Sequence, residues 1–169
     1  VNLQQLLENI KQSPMSLEFI RTKLPPRCKA VQYKSLVGHR SEVFRNHDVV
    51  VVLIPKKGSD LGHFVCLVAK RHHIEYFSSL GGTPDSEFAK LGEHTDIIKQ
   101  ILGKNFIVNR VKLQSGNYHI NDCAIWVLLR CYLKQMKLRE FQVLFNRQVV
   151  LRNSDDIAAI LGLLLLVEF

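Results

Sequence analysis

The chain has 169 residues and carries 23 Lys and Arg against 15 Asp and Glu, a net charge of +8 with neutral histidines. A hydrophobic fraction of 47%, with 9 Gly and 5 Pro, excludes disordered, collagen-like and low-complexity chains. The length suits a single domain whose core requires neither disulfides nor a metal for stability. The basic excess fits either an ordinary soluble surface or affinity for a polyanion such as nucleic acid.

Membrane, secretion and metal signals are missing from the sequence. The longest near-continuous apolar run, Ile157 to Val167, has 11 residues, far fewer than the ~20 that cross a bilayer. No signal segment opens the chain, so we expect a protein that is not secreted and has no membrane partner. The four cysteines lack metal-site spacing, which predicts free thiols in a reducing compartment and no metal.

The first 48 residues predict a variable, largely helical segment. Residues 2–13 show the apolar spacing of an amphipathic helix, and Ser16 is a candidate cap for a second helix that ends before Pro25 and Pro26. Residues 27–47 are mixed in character and predict loop with short extended pieces.

The middle of the chain predicts strands alternating with turns. β-branched and apolar runs predict strands at 49–54, 63–69, 73–78 and 106–113. Turn residues at 81–85 also begin a helix, and a further helix is expected at 95–102, before Gly103.

The C-terminal part reads as helical. Helices are predicted at 123–136, 138–148 and 157–167, the last capped within residues 153–156. The first of them is apolar nearly all round, which is typical of a central, buried helix. We therefore expect one α+β domain over residues 1–169, with a small mixed or antiparallel central sheet flanked by helices.

Cys123 is a candidate nucleophile because of its position. It follows a polar loop and begins the most apolar helix, where the partial positive charge of a helix N-terminus stabilises a thiolate. A buried structural cysteine is the alternative, and Cys66 and Cys131 fit that alternative well. The candidate base is His63, held at the start of a strand, and His119 remains an alternative because it lies close to Cys123 in sequence.

Four short motifs, in order along the chain, resemble the adenain-like and SUMO-protease-like cysteine peptidases. The closest likeness is to the variants encoded by Maverick-type elements, virophages and related DNA viruses. The motifs are Gly62-His63-Phe64, the strand from Ile74 to Gly81, Leu113-Gln114-Ser115 and Asn121-Asp122-Cys123-Ala124. The resemblance covers roughly residues 49–136, which would form the catalytic core of a peptidase domain between residues 1–48 and the helices of 137–169.

The resemblance implies a papain-like arrangement with Cys123 as nucleophile, His63 as general base and Gln114 as donor to the oxyanion. The acid that orients the histidine in this family corresponds to Ser78, where a hydroxyl replaces the carboxylate. Regular strand alternation places Ser79 on the opposite face. Because Gln114 lies nine residues before Cys123, more than is usual in the family, Asn117 is an alternative oxyanion donor.

The function implied is that of a thiol endopeptidase that matures viral structural proteins, with those precursors as substrates and glycine-containing cleavage sites. It would act in the virion or the viral factory of the host cytoplasm. No resident cofactor is expected, although DNA or a peptide could activate the enzyme. Removal of ubiquitin or a ubiquitin-like modifier is the alternative. The second alternative is a degenerate peptidase fold that binds DNA or protein, suggested by the serine at the acid position.

Overall fold

A computed structural model describes residue 5 and residues 16–58, 62–114 and 123–146 of the chain. The predicted helices at 2–13, apart from residue 5, and at 157–167, the cap predicted within residues 153–156, Asn117 and His119 lie outside the described residues. The predicted cap Ser16 is confirmed, because its side chain accepts a hydrogen bond from the backbone N–H of Phe19 in the helix Leu17–Lys23.

The described residues form an α+β structure built on a five-stranded mixed sheet in the order β1-β2-β3-β4-β5. Strands β2, β3 and β4 are antiparallel neighbours, whereas β1 runs parallel to β2 and β5 parallel to β4. The strands are β1 (Cys28–Gln32), β2 (Val49–Pro55), β3 (Gly62–Ala69), β4 (Ile74–Phe77) and β5 (Phe106–Val108).

Helices cover both faces of this sheet. In chain order they are α1 (Leu17–Lys23), α2 (Arg40–Val43), α3 (Pro84–Leu91), α4 (Asp96–Leu102), α5 (Cys123–Tyr132) and α6 (Leu138–Asn146), with a 3₁₀ turn at Tyr33–Ser35. The predicted α+β class and its helix-flanked mixed sheet are thus confirmed.

The sheet separates two apolar cores, as the alternation of side chains along its central strand shows. Phe64 and Cys66 of β3 pack with α1, α5 and α6, while Val65 and Leu67 pack with α2, α3 and α4. Because a strand buried on both faces has no polar face, it reads as a continuous apolar run, which is why β2 and β3 could be predicted closely from the sequence.

Three predicted segments differ from the structure by more than a residue or two. Residues 28–32, within a region predicted as loop with short extended pieces, form the parallel edge strand β1. Pairing along β2 supplies backbone partners that the mixed composition of this segment does not indicate. The strand predicted at 106–113 ends at Val108, because the Asn109 side chain donates to the backbone oxygens of Ser78 and Val111 and turns the chain away from β4. The helix predicted at 123–136 ends at Tyr132.

A buried ion pair fixes α5 against the sheet. Arg130 donates to both carboxylate oxygens of Glu75 at 2.8 and 2.9 Å, and both side chains are fully buried. The same guanidinium donates to the backbone oxygens of Leu133 and Met136. These four hydrogen bonds use most of the five N–H groups of the guanidinium and join β4 to α5 and to the residues that follow it.

Within residues 16–58, 62–114 and 123–146, no helix combines the length and the apolar character that crossing a membrane requires.

Candidate active site

His63 lies at the start of β3, on the edge of the sheet where β4 ends. It pairs with Ile54 of β2, and its side chain is buried, with 8% of the residue exposed. A strand held between two neighbours leaves an imidazole little freedom to move. The structure thus places the predicted base in a rigid, nearly dry position.

The imidazole contacts a carboxylate as well as the predicted hydroxyl. Nε2 of His63 lies 2.9 Å from Oγ of Ser78, and Oγ of Ser78 donates to Glu87 at 2.5 Å. The same Nε2 lies 3.6 Å from the second oxygen of Glu87, which also accepts a hydrogen bond from the Tyr76 hydroxyl at 2.7 Å. Since Ser78 donates to Glu87, its oxygen accepts from Nε2, and the hydroxyl links the imidazole to the carboxylate.

Glu87 lies in the first turn of α3, which positions its carboxylate beside Ser78 and His63. Thr83 and Ser86 form a reciprocal capping box, and Pro84 opens the helix, so the start of α3 is firmly set. The neighbouring Gly82 leaves room for the carboxylate, because a Cβ there would lie 2.6 Å from Cγ and Oε1 of Glu87. Glu87 is 5% exposed and therefore acts inside the protein, not at its surface.

The surroundings favour a charged pair. Burial lowers the pKa of His63, but hydrogen bonds and attraction from Cys123 and Glu87 raise it by more, from its ordinary 6.5 to about 10. Burial likewise raises the pKa of Glu87, but His63, Ser78 and Tyr76 together hold it below its ordinary 4.5. The arrangement therefore stabilises an imidazolium beside a carboxylate at neutral pH.

Cys123 is the first residue of α5, and its thiol is hydrogen-bonded to His63. It is 3% exposed. The helix that carries it has nine buried residues out of ten, as expected for a central helix. Because Nε2 of His63 faces Ser78 and Glu87, Nδ1 is the ring nitrogen left to exchange a proton with the thiol.

Gln114 lies beside the end of β4, on the segment that follows β5. Its backbone N–H and that of Leu113 both donate to the carbonyl of Ser79, at 2.9 and 2.8 Å. Its side-chain oxygen accepts from the Ser79 hydroxyl at 2.7 Å. Ser79, which regular alternation placed on the face away from His63, thus binds the predicted oxyanion donor.

The structure brings the predicted base and the predicted nucleophile into contact. Ser78 is hydrogen-bonded to the predicted base. The predicted oxyanion donor, Gln114, is hydrogen-bonded to the next residue, Ser79. Glu87 is absent from the residues predicted for the site, because the resemblance places the acid at the end of the strand, at Ser78. A signal was present in the Thr-Pro-Asp-Ser-Glu run of residues 83–87, which predicts a helix start with Glu87 in its first turn.

A cavity of about 170 Å³ opens against the histidine and its acid, walled by Leu80, Gly82, Lys90 and Leu91 in addition to His63 and Glu87. It gives the pair an opening toward solvent. Among the described residues, no group of three or more His, Cys, Asp and Glu side chains is placed to hold a metal ion.

Comparison with known proteins links the chain to a virophage. No family model matches it. It is 28% identical over 133 residues to "Uncharacterized protein V9" of Sputnik virophage, a match that covers 70% of this chain and 75% of that protein. The similarity agrees with the virophage part of the predicted likeness and carries no statement of activity.

Proposed function

We propose that the chain is a cysteine endopeptidase in which Cys123 is the nucleophile and His63 the general base. One observation carries the proposal. A buried thiol at the N-terminus of a helix is hydrogen-bonded to an imidazole whose Nε2 contacts a hydroxyl and lies 3.6 Å from a buried carboxylate. A nucleophile, a base and a group that orients the base are the three parts that thiol-based acyl transfer requires.

The chemistry follows from these positions. Transfer of the Cys123 proton to His63 gives the imidazolium and leaves a thiolate, and the thiolate sulfur attacks the carbonyl carbon of the scissile peptide. The side-chain amide of Gln114 and the backbone N–H of Cys123 donate to the oxyanion that forms. The C–N bond breaks as His63 protonates the leaving amine, and water then hydrolyses the thioester to release the acid and the free thiol.

Glu87 supplies the negative charge that Ser78 lacks. The suggestion of a degenerate fold rested on the serine at the acid position, and a carboxylate linked to His63 through that serine removes the reason for it. The order His63, Glu87, Gln114, Cys123 also keeps the sequence of roles in the adenain-like peptidases, which supports the enzymatic function over the binding function.

The substrates we propose are viral structural protein precursors cut at glycine-containing sites. This follows from the resemblance to virus-encoded peptidases and from the similarity to a virophage protein. The place of action would be the virion or the viral factory. Removal of ubiquitin-like modifiers uses the same chemistry, so the choice of substrate in the experiment has to separate the two.

A peptide library tests the proposal. We expect the wild-type protein to cleave library peptides next to glycine and the Cys123→Ala variant to lose all cleavage, since no other group replaces the thiolate. Mass spectrometry of the products gives the cut sites. Conjugates of ubiquitin-like proteins are added as a second substrate set.

The matched control is Cys66→Ala, which removes a fully buried thiol from the interior of β3. It should keep the cleavage pattern at a somewhat lower stability. Cleavage that survives in Cys123→Ala would defeat the proposal, and cleavage of conjugates without cleavage of peptides would favour modifier removal.

A further inference from the structure

Ser79 is a buried residue that the proposed mechanism does not use. Its hydroxyl donates to Oε1 of Gln114 at 2.7 Å, and its carbonyl accepts from the backbone N–H groups of Leu113 and Gln114. Ser79 is fully buried and Gln114 is 6% exposed. Three hydrogen bonds thus tie this one residue to the segment that carries the amide.

We propose that Ser79 is a positioning residue that fixes which end of the Gln114 amide faces the reacting carbonyl. The inference rests on the proposed function and deepens it, because it assigns a role to a residue outside the set His63, Glu87, Gln114 and Cys123.

The physical reason lies in the two ends of a glutamine amide. The oxygen accepts hydrogen bonds and the nitrogen donates two of them, and the two orientations occupy almost the same space. An amide that turned its oxygen toward the oxyanion would repel the charge that it is required to stabilise. A hydroxyl that donates to Oε1 holds the oxygen on the Ser79 side and leaves the NH₂ group to the other side.

Ser79 can reach Gln114 because the chain leaves β4 two residues earlier. Strand β4 ends at Phe77, and the Asn109 side chain donates to the carbonyl of Ser78 at 2.6 Å. Ser78 and Ser79 therefore lie beyond the last paired residue of β4 and serve two different groups. The hydroxyl of Ser78 binds His63 and Glu87, and that of Ser79 binds Gln114.

A double-mutant cycle tests the role. Removing one oxyanion donor lowers kcat by about 10²- to 10³-fold in a serine protease, and we expect Gln114→Ala to behave in this way. Ser79→Ala should lower kcat by about 10-fold with KM little changed. In the Gln114→Ala background, Ser79→Ala should cost almost nothing more, because its effect passes through the amide that is already gone.

Two further measurements separate positioning from damage to the fold. Alkylation of Cys123 by iodoacetamide develops no oxyanion, so its rate should be the same in the wild type and in Ser79→Ala. The side-chain amide signals of Gln114, assigned in ¹⁵N spectra by their loss in Gln114→Ala, should shift in Ser79→Ala.

An equal loss of kcat from Ser79→Ala in both backgrounds would overturn the inference, as would unchanged Gln114 amide signals. If the wild type cleaves no peptide at all, the proposed function fails separately. The amide signals then still decide whether Ser79 sets the orientation of Gln114.

Discussion

The Glu87→Gln variant is expected to cleave peptides about 10²- to 10³-fold more slowly than the wild type, with the fold intact. Replacing the acid of a serine-protease triad by its amide costs about 10⁴-fold in kcat. The effect should be smaller here because Ser78 still accepts from Nε2 of His63, at 2.9 Å. The variant removes a negative charge and keeps the shape, so steady-state kinetics report the electrostatic role of the carboxylate.

The matched control is Asp85→Asn on the same helix. Its carboxylate is 68% exposed and pairs with Lys99 at 2.6 Å, so its loss removes the same charge at the surface. We expect its kcat/KM to stay within about two-fold of the wild type, since exposed ion pairs contribute little. Equal activities of Glu87→Gln and the wild type would show that the acid does not support the base.

The Glu87→Gln variant should also lower the pKa of His63. The pKa of His63 is raised from 6.5 to about 10 by Cys123 and Glu87 against the effect of burial, so its contribution to stability is present below pH 6.5 and is lost as the pH rises toward 10. In Glu87→Gln the pKa of His63 should fall, as seen in NMR titration of the imidazole. The decline in unfolding free energy from pH 6.5 to pH 10 should then be smaller.

The Arg130→Met variant is expected to lose about 3–5 kcal/mol of unfolding free energy, measured by urea denaturation. Removing the guanidinium leaves the Glu75 carboxylate buried without its cation and leaves the backbone oxygens of Leu133 and Met136 without a donor. A buried, uncompensated charge is far more costly than the pair that it replaces. Because α5 carries Cys123, activity should be lost at temperatures where the variant unfolds.

Two controls isolate the buried pair. The Arg27→Met variant breaks an ion pair with Asp48 whose side chains are 58% and 35% exposed, and it should lower the stability far less than Arg130→Met does, because exposed ion pairs contribute little. Adding Glu75→Leu to Arg130→Met removes the stranded charge and should restore much of the lost stability. The explanation is wrong if Arg130→Met costs no more than Arg27→Met.

The central strands, most helix starts and the positions of the candidates His63 and Cys123 at the starts of β3 and α5 could be predicted from local patterns. A doubly buried strand is a continuous apolar run, and the N-terminus of an apolar helix marks Cys123 in the sequence alone. These features depend on neighbouring residues, which is what a sequence displays directly.

The remaining features depend on distant partners. Glu87 reaches His63 only because α3 packs under the end of β4, 24 residues after the histidine in sequence, and nothing local marks that approach. Strand β1 exists because β2 lies beside it, and the early end of β5 reflects the contact of Asn109 with Ser78. In each of these three cases tertiary packing determined the structure, and the local sequence pattern was too weak to indicate it.

The central claim is that Cys123 is the reactive thiol of this protein, and competitive labelling tests it most directly. Exposure alone favours a different cysteine, since Cys28 is half-buried whereas Cys123 is 3% exposed. A hydrogen bond with Cys131 also lowers the pKa of Cys28, and Lys134 nearby acts in the same direction.

The measurement is limited labelling of the folded protein with a glycine-ended peptide that carries an electrophilic vinyl sulfone, followed by peptide mapping. We predict that Cys123 is modified first and that His63→Ala abolishes its modification while leaving that of Cys28 unchanged. Labelling of Cys28 ahead of Cys123, or labelling of Cys123 that does not depend on His63, would contradict the account.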